Sequence, residues 1–483
     1  MSSGGGFYSL LHIAQALGEV NLSIPVKLGV ITRRVHEVTG EERLDPDMAT
    51  VLGPCGVIPK EYPNVTCFNV DLPDDLEQLS DATVAALLAE FGRAPAGAVV
   101  AYRGRYRWKR GYQKIALASP AAAPRLKTGG VYLITGGTGG LGLALSKYLA
   151  AACKPALVLT KQSPLRASKT IEAIQEIEAL GARVEVMVAE ASDREQMQAV
   201  VAGVLKKYGA IDGVIHAAGI VRAGVIQAKT RETAERVMAP KVDGTRILFD
   251  LLRAAQPDFL VLFSSITTVS SPYAEVDYVG ANAFLDAFTH FANAGRAGCH
   301  TLTINWPGWK EVGQLADLET LPGVEGWKES ALERAIATED GVEAFQRALS
   351  SGLKQVIVSP QPIDQVLAQA EAPFDPEVYL RPRRSRDAAP SKNGGDALHQ
   401  IWCDALGFEQ IGAHERFSDL GGHSLLAMQI VAKIRSSYQI SFTLRDFFDA
   451  PTIAEARGLI EQRVLAQIES LSEDEARALL LQK

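Results

Sequence analysis

Cysteine is scarce in this chain: five in 483 residues, at Cys55, Cys67, Cys153, Cys299 and Cys403, odd in number and without CxxC or histidine–cysteine spacing. Such usage excludes a disulfide framework and a zinc site, so no metal is expected, and it suits a reducing, cytoplasmic compartment. Long apolar runs are also missing. No window offers eighteen uncharged apolar residues, and Met-Ser-Ser-Gly-Gly-Gly lacks the basic start and apolar stretch of a signal peptide, so no membrane partner is expected. Positive charge is in deficit, with 49 Lys and Arg against 56 Asp and Glu and a net charge of −7. Without a broad basic surface, nucleic acid is excluded as a partner. What the chain does have is apolar content, 47% of its residues, enough for two or three domains with their own cores.

The strongest boundary is Arg-Pro-Arg-Arg-Ser-Arg-Asp-Ala-Ala-Pro-Ser-Lys-Asn-Gly-Gly-Asp at 381–396, rich in proline, glycine and charge and lacking apolar periodicity, which reads as a flexible linker. A weaker break lies at 118–128, ahead of the strand-like Val131 to Ile134. The expected division is 1–125, 126–372, a linker at 373–396, a small helical domain at 397–465 and a terminal helix or tail at 466–483. In the middle region apolar runs alternate with helical stretches: Val131–Ile134, Ala156–Leu159, Val184–Val188, Gly213–His216, then Phe259–Phe263 and Thr301–Asn305. That alternation predicts repeated βαβ units and a doubly wound parallel sheet.

Between the first of these strands and a helix opening near Leu141 lies Thr135-Gly136-Gly137-Thr138-Gly139-Gly140-Leu141-Gly142. Bare backbone there can approach a pyrophosphate, and the helix N-terminus offers amide donors, so a nucleotide is expected. A proton donor is expected near the ends of later strands. Tyr278 is the candidate, at the mouth of a helix with Asn282 one turn along on the same face. Ser265 follows the strand ending at Phe263 and could hydrogen-bond a substrate carbonyl, and Lys241 lies further upstream.

Taken singly, each of these polar residues has a structural reading as cap, core aromatic or solvated charge. Together the order and spacing of Lys241, Ser265, Tyr278 and Asn282, with the glycine stretch and His216-Ala217-Ala218-Gly219, resemble the ketoreductase domain of modular polyketide synthases, a branch of the short-chain dehydrogenase/reductase superfamily. Phe263-Ser264-Ser265, Ile304 to Trp309 and Thr338 to Gly341 support the resemblance. Residues 10–108, through Val51 to Cys55, Val57 to Pro63 and Ala101 to Tyr106, resemble the structural subdomain that precedes such a reductase. The implied fold is α/β, with two Rossmann-like subdomains, the first truncated and non-catalytic, plus a small all-α four-helix domain. The strand and helix expected first in the structural subdomain are missing, as in a piece of a longer synthase.

The resemblance implies that Tyr278 is the general acid, that Lys241 favours its ionised form and reaches the nicotinamide ribose, that Ser265 orients the substrate oxygen, and that Asn282 holds a water. It places cofactor contacts on Thr135 to Gly142, on Lys161, Gln162 and Ser163 after the second strand, on Glu190 and Ala191, on His216 to Gly219, and on Lys241, Tyr278, Pro307 and Gly308. Two of these positions depart from the family pattern. Lys161-Gln162 stands where an arginine usually meets the adenosine 2'-phosphate, and Glu190 where an aspartate commonly touches the adenine. NADPH is the expected cofactor, held at Lys161 by a point charge without the bidentate fork of arginine, with NADH the alternative. Val221-Arg222-Ala223 stands where B-type reductases carry Leu-Asp-Asp, and Ser270 where A-type ones carry tryptophan, so neither marker assigns the product configuration.

In the helical C-terminal region an apolar face runs through Ile401, Leu406 and Phe408, then Leu425, Met428 and Ile434. Asp419-Leu420-Gly421-Gly422-His423-Ser424-Leu425, with Phe417 and Phe447 to Ile453, resembles an acyl or peptidyl carrier domain. Ser424 would then receive covalent 4'-phosphopantetheine from a phosphopantetheinyl transferase, and His423 would serve recognition. The expected activity is reduction of a carrier-bound β-ketoacyl thioester to the β-hydroxyacyl product, beside neighbouring synthase domains. Two alternatives stand: reduction of an α-ketoacyl group in a depsipeptide synthetase, or a catalytically silent scaffold with a working carrier.

Overall fold

The computed structural model describes residues 5–469 apart from 21–23, 74–79, 94, 96, 119–124, 165–166, 296–297, 318–330, 372–396, 407, 409, 418 and 421–423. The expected linker, the Gly421-Gly422-His423 part of the carrier motif and the tail from 470 onward lie outside the described residues.

Two parallel sheets and a helical bundle follow one another along the chain. The first unit runs α1 (Gly5–Val20), β1 (Val26–Arg33), a 3₁₀ turn at Pro46–Val51, α2 (Leu52–Glu61), β2 (Val65–Leu72), α3 (Asp81–Arg93), β3 (Val99–Arg103) and β4 (Tyr106–Lys109). Strands β1, β2 and β3 are parallel neighbours, and β4 closes the edge antiparallel. β2 is buried along almost its whole length, as a central parallel strand covered on both faces must be. The 3₁₀ turn starts where Asp45 accepts the Asp47 amide and Pro46 takes the first position, whose missing N–H costs nothing there.

The second unit continues β5 (Val131–Thr135), α4 (Gly140–Cys153), β6 (Ala156–Lys161), α5 (Ser168–Ala179), β7 (Arg183–Val188), α6 (Arg194–Tyr208), β8 (Gly213–His216), α7 (Arg231–Leu251), β9 (Phe259–Ser265), α8 (Thr267–Ser270), α9 (Val276–Gly295), β10 (His300–Trp306), α10 (Gln314–Asp317), α11 (Thr338–Ser350), β11 (Gln355–Ile357) and α12 (Ile363–Glu371). The sheet order is β7-β6-β5-β8-β9-β10-β11, parallel throughout. The chain reverses direction of travel between β5 and β8, which is where a doubly wound sheet opens a crevice for ligands. β11 has no counterpart in the sequence reading, because three residues are too short to show a period.

The two units share one hydrophobic core. Phe7 and Leu11 of α1 and Val57 and Ile58 of α2 lie in the same buried cluster as Val279 and Phe284 of α9 and Leu260 of β9. α2 crosses α9 where both helices carry glycine. A methyl group on Gly53 would come 2.4 Å from the Val276 carbonyl, and one on Gly280 would come 2.9 Å from the Thr50 carbonyl, so only bare backbone allows the approach.

The last unit comprises α13 (Ala397–Leu406), α14 (Ser424–Tyr438), α15 (Leu444–Asp449) and α16 (Ile453–Glu469). Trp402, Phe417 and Phe447 pack with ring centroids 4.8–5.6 Å apart, in a core completed by Leu426, Ile430, Ile434 and Phe442. Ile401 and Leu406 belong to this core, but Phe408 is 42% exposed, because it follows the end of α13 and leaves the helical stripe that would have buried it. The side chains of Leu425 and Met428 are outside the description. α15 packs against the 226–228 turn, and Arg445 pairs with Glu19. Among the described residues, no helix is long and apolar enough to cross a membrane, and no group of histidines, cysteines and acids could hold a metal ion.

Candidate functional site

Four of the residues singled out in the sequence meet at the C-terminal ends of β8 and β9. Ser265 is the last residue of β9, Lys241 sits midway along α7, and Tyr278 and Asn282 lie in the first two turns of α9. The Lys241 ammonium donates to the Phe263 carbonyl at 2.5 Å and lies 5.7 Å from the centre of the Tyr278 ring. Burial pushes Lys241 down to about 8, and the charge of Asp286 partly offsets this. Burial also pushes the Tyr278 phenol up to about 12, as does the nearby Glu275, while hydrogen bonds from the Ser265 and Asn282 side chains favour its ionised form. The amide of Asn282 donates to the Tyr278 carbonyl at 2.7 Å, and its Oδ1 is buried with no partner among the described residues. A buried acceptor in that state requires a water or ligand donor.

Behind this cluster stands a scaffold that the sequence reading missed. The Asn305 amide lies within 2.9–3.2 Å of the Ser264 hydroxyl, the Ser265 carbonyl, the Thr268 hydroxyl and the Asp286 carboxyl. It fixes the end of β9 from the neighbouring β10. Burial raises Asp286 to about 6, against hydrogen bonds from Ser264, Asn305 and Thr268. Asp286 lies on the same helix as Tyr278, so the missing signal was tertiary: nothing in the spacing says that a helix aspartate meets a strand asparagine.

His216 is placed differently from the expectation of a cofactor contact. Its ring is 1% exposed and bonded on both nitrogens, to the Thr135 hydroxyl at 2.6 Å and to the Pro240 carbonyl at 2.9 Å. Burial, helped by the Lys241 charge, lowers it to about 3, so the ring is neutral. Its Nε2–H donates to Pro240, which leaves Nδ1 to accept from Thr135. The imidazole therefore ties β5 and β8 to the residue before Lys241, and a nucleotide could meet only the backbone here.

The glycine stretch forms a cradle between β5 and α4. Gly136 has φ +66°, and a methyl group there would meet the Ala218 backbone at 2.9 Å; on Gly142 it would lie 2.6 Å from the Gly137 carbonyl. Gly139 precedes α4 and makes no side-chain cap, so no N-cap side chain satisfies the first amides of the helix. Bare backbone, an uncapped helix start and a parallel-sheet crevice together fit a dinucleotide pyrophosphate. The 312–314 segment lies over this cradle. A methyl group on Gly140 would meet the Gly313 amide at 2.5 Å, and Gln314 donates to the Gly219 carbonyl at 2.8 Å. Gly308, expected at the cofactor, packs on Leu315 and is bonded through its carbonyl to the Ile336 amide at 2.9 Å. At the end of β6, the Gln162 amide donates to Glu190 at 2.5 Å and the Ser192 hydroxyl does so at 3.2 Å, with Lys161 beside them on the strand. Ser424 opens α14.

Comparison with known proteins places both halves. Residues 130–311 match the KR domain family, and residues 396–460 match the phosphopantetheine attachment site family. Polyketide synthase PksM of Bacillus subtilis (strain 168) is 35% identical over 343 residues, which are 68% of this chain and 8% of that protein. Polyketide synthase GfsB of Streptomyces halstedii is 26% identical over 503 residues, 95% of this chain and 9% of that protein. The chain thus spans less than a tenth of either relative's length. Among solved structures, an A1-type ketoreductase superimposes with a TM-score of 0.66 at 27% identity, covering 76% of this chain and 75% of that one. A ketoreductase domain from the bacillaene assembly line does so with a TM-score of 0.65 at 25% identity, covering 76% and 85%. The chain carries the ketoreductase and phosphopantetheine carrier domains of a modular polyketide synthase or hybrid polyketide/peptide synthase, and the reductase is of the short-chain dehydrogenase/reductase kind.

Proposed function

We propose that this protein uses NADPH to reduce a carrier-bound β-ketoacyl thioester to the β-hydroxyacyl thioester, with Ser424 carrying the phosphopantetheine arm. The convergence of Ser265, Tyr278, Asn282 and Lys241 beside an uncapped glycine cradle carries the reading. NADPH bound along Thr135 to Gly142 would supply a hydride to the carbonyl carbon. As the carbonyl π pair moves to oxygen, the Tyr278 hydroxyl gives its proton to the nascent alkoxide, and the Ser265 hydroxyl hydrogen-bonds the same oxygen. The phenolate left behind is stabilised by the Lys241 charge 5.7 Å from its ring, and a water on the orphaned Asn282 Oδ1 returns a proton from solvent. Lys161 would meet the 2'-phosphate. A phosphopantetheinyl transferase and neighbouring synthase domains complete the set of partners, and a reducing cytoplasm suits five free, buried cysteines.

The test is cofactor oxidation by the purified chain with a β-ketoacyl pantetheine thioester, an α-ketoacyl thioester, and NADPH or NADH. Turnover of the β-keto substrate with NADPH, falling by about 10²–10⁴-fold in Tyr278→Phe, is expected. Preference for the α-keto thioester would move the activity to that alternative, and absence of both turnover and NADPH binding would leave a silent scaffold. Mass spectrometry after transferase treatment should show one phosphopantetheine on the wild type and none on Ser424→Ala.

A further inference from the structure

A buried lysine outside the reducing cluster joins three parts of the molecule. Lys229 is 5% exposed, and its ammonium lies 2.9 Å from the Asp277 carboxylate and donates to the Arg222 carbonyl at 3.0 Å. Asp277 is fully buried, and its other oxygen accepts the Tyr278 amide at 2.9 Å. One cation therefore links the 222–229 segment to the residue that precedes the proposed proton donor.

The same segment is held from its other side by the first unit. The Glu61 carboxylate, at the end of α2, accepts the Ile226 amide at 2.6 Å and the Ala274 amide at 3.2 Å. Gln15 of α1 donates to the Ile226 and Lys229 carbonyls at 2.9 and 2.8 Å, and the Tyr62 hydroxyl donates to Gln227 at 3.0 Å. Ala274 is held at φ +62°, which a residue with a side chain adopts only when its surroundings fix it, and its carbonyl accepts the Gly224 amide at 2.8 Å. Two half-buried carboxyl groups, Glu61 and Glu275, and the fully buried Asp277 lie around Lys229, and loss of solvent raises all three, Glu61 to about 8 and Glu275 to about 7. Such a cluster tolerates loss of its cation poorly, because the Asp277 carboxylate would remain buried without its partner.

We propose that Lys229 is a positioning residue: it locks the 222–229 segment against the first turn of α9, so that Gln15, Glu61 and Tyr62 of the first unit set the wall of the substrate path beside Tyr278. This deepens the proposed ketoreduction and rests on it for the kinetic readout alone. The pair touches neither the reacting atoms nor the glycine cradle. Its loss should misplace the acyl chain while leaving the nucleotide untouched.

The experiment compares Lys229→Met and Lys229→Arg with wild type in the full chain. In Lys229→Met the KM for the thioester should rise about tenfold while the NADPH dissociation constant stays within about twofold. Amide hydrogen exchange at 222–229 and 274–278 should speed up about tenfold, with α4 unchanged. Lys229→Arg should recover part of both effects. Unchanged exchange at 222–229 would overturn the proposal, as would exchange that rises equally in α4 with a matching loss of NADPH affinity, the mark of general loosening. Exchange needs no turnover, so it decides the point even where the wild type reduces nothing. If Lys229→Met does not fold, Glu61→Gln gives the same readout from the opposite side.

Discussion

Both parallel sheets end their strands in the same kind of place, and they treat it in opposite ways. Beyond the ends of β5 and β8 the chain supplies glycine, leaving bare backbone and a helix start without a side-chain cap. At the ends of β2 and β3 it supplies Asp71 and Arg103, 0% and 8% exposed, paired at 2.7 Å. Arg103 also bonds Glu42 at 2.9 Å and the His36 carbonyl at 2.9 Å, and Asp71 accepts from the Thr32 hydroxyl at 3.0 Å and the Val35 amide at 3.2 Å. A buried ion pair closes the strand ends of the first sheet where bare backbone leaves those of the second uncovered by side chains. Topology agrees with the side chains: the first sheet runs β1-β2-β3-β4 without a reversal, whereas the second reverses between β5 and β8, where a doubly wound sheet takes its ligand.

The largest break in this contrast should come from the filled side. Arg103→Met strands Asp71 and Glu42 and should cost about 3–5 kcal/mol, read as a lower urea midpoint, without altering NADPH affinity by more than about twofold. A shifted NADPH affinity would mean that the strand ends of the two sheets are coupled.

On the open side, charge at Lys241 sets the pH profile. With Lys241 near 8 and Tyr278 near 12, the phenol keeps its proton across the working range while the ammonium is lost above pH 8. The thioester kcat/KM for reduction should be level below pH 8 and fall about tenfold per pH unit above it, and Lys241→Arg should remove that fall. A profile of unchanged slope in the arginine variant would detach Lys241 from the proton step.

Closing the cradle should act on the cofactor. Gly136→Val adds branches at φ +66° against the Ala218 backbone and should weaken NADPH by about 10–100-fold, the equivalent of about 1–3 kcal/mol of strain, in a fluorescence titration. The smallest effect is expected at Lys161→Ala, where NADPH should weaken by about tenfold and NADH by less than about twofold, since a point charge there meets only the phosphate. Equal weakening of both would place the 2'-phosphate elsewhere.

The same contrast explains what could be read in the sequence. Apolar runs at 131–134, 156–159, 213–216, 259–263 and 301–305 marked the strands of the second sheet, because buried parallel strands are continuously apolar. The glycine stretch was legible because an open site needs residues with unusual backbone. The buried ion pair was not: Arg103 and Asp71 look like any surface charges until the fold brings them together from 32 positions apart. Lys229 and Glu61 escaped for the same reason, and His216 was noticed by its motif but points into the core. Charge that ends up inside carries no local mark, whereas glycine that must stay bare does.

The crossing of α2 over α9 bears on how such reductases can be exchanged between assembly lines. A graft cut near residue 126 would outwardly respect a domain boundary, yet it would divide one core, baring Phe7, Leu11, Val57 and Ile58 on one side and the α9 surface on the other. Because Gly53 and Gly280 meet with no room for a methyl group, a foreign first unit would have to supply the same bare backbone at the same register. The transplantable piece is the pair of sheets together, and its seams lie outside both.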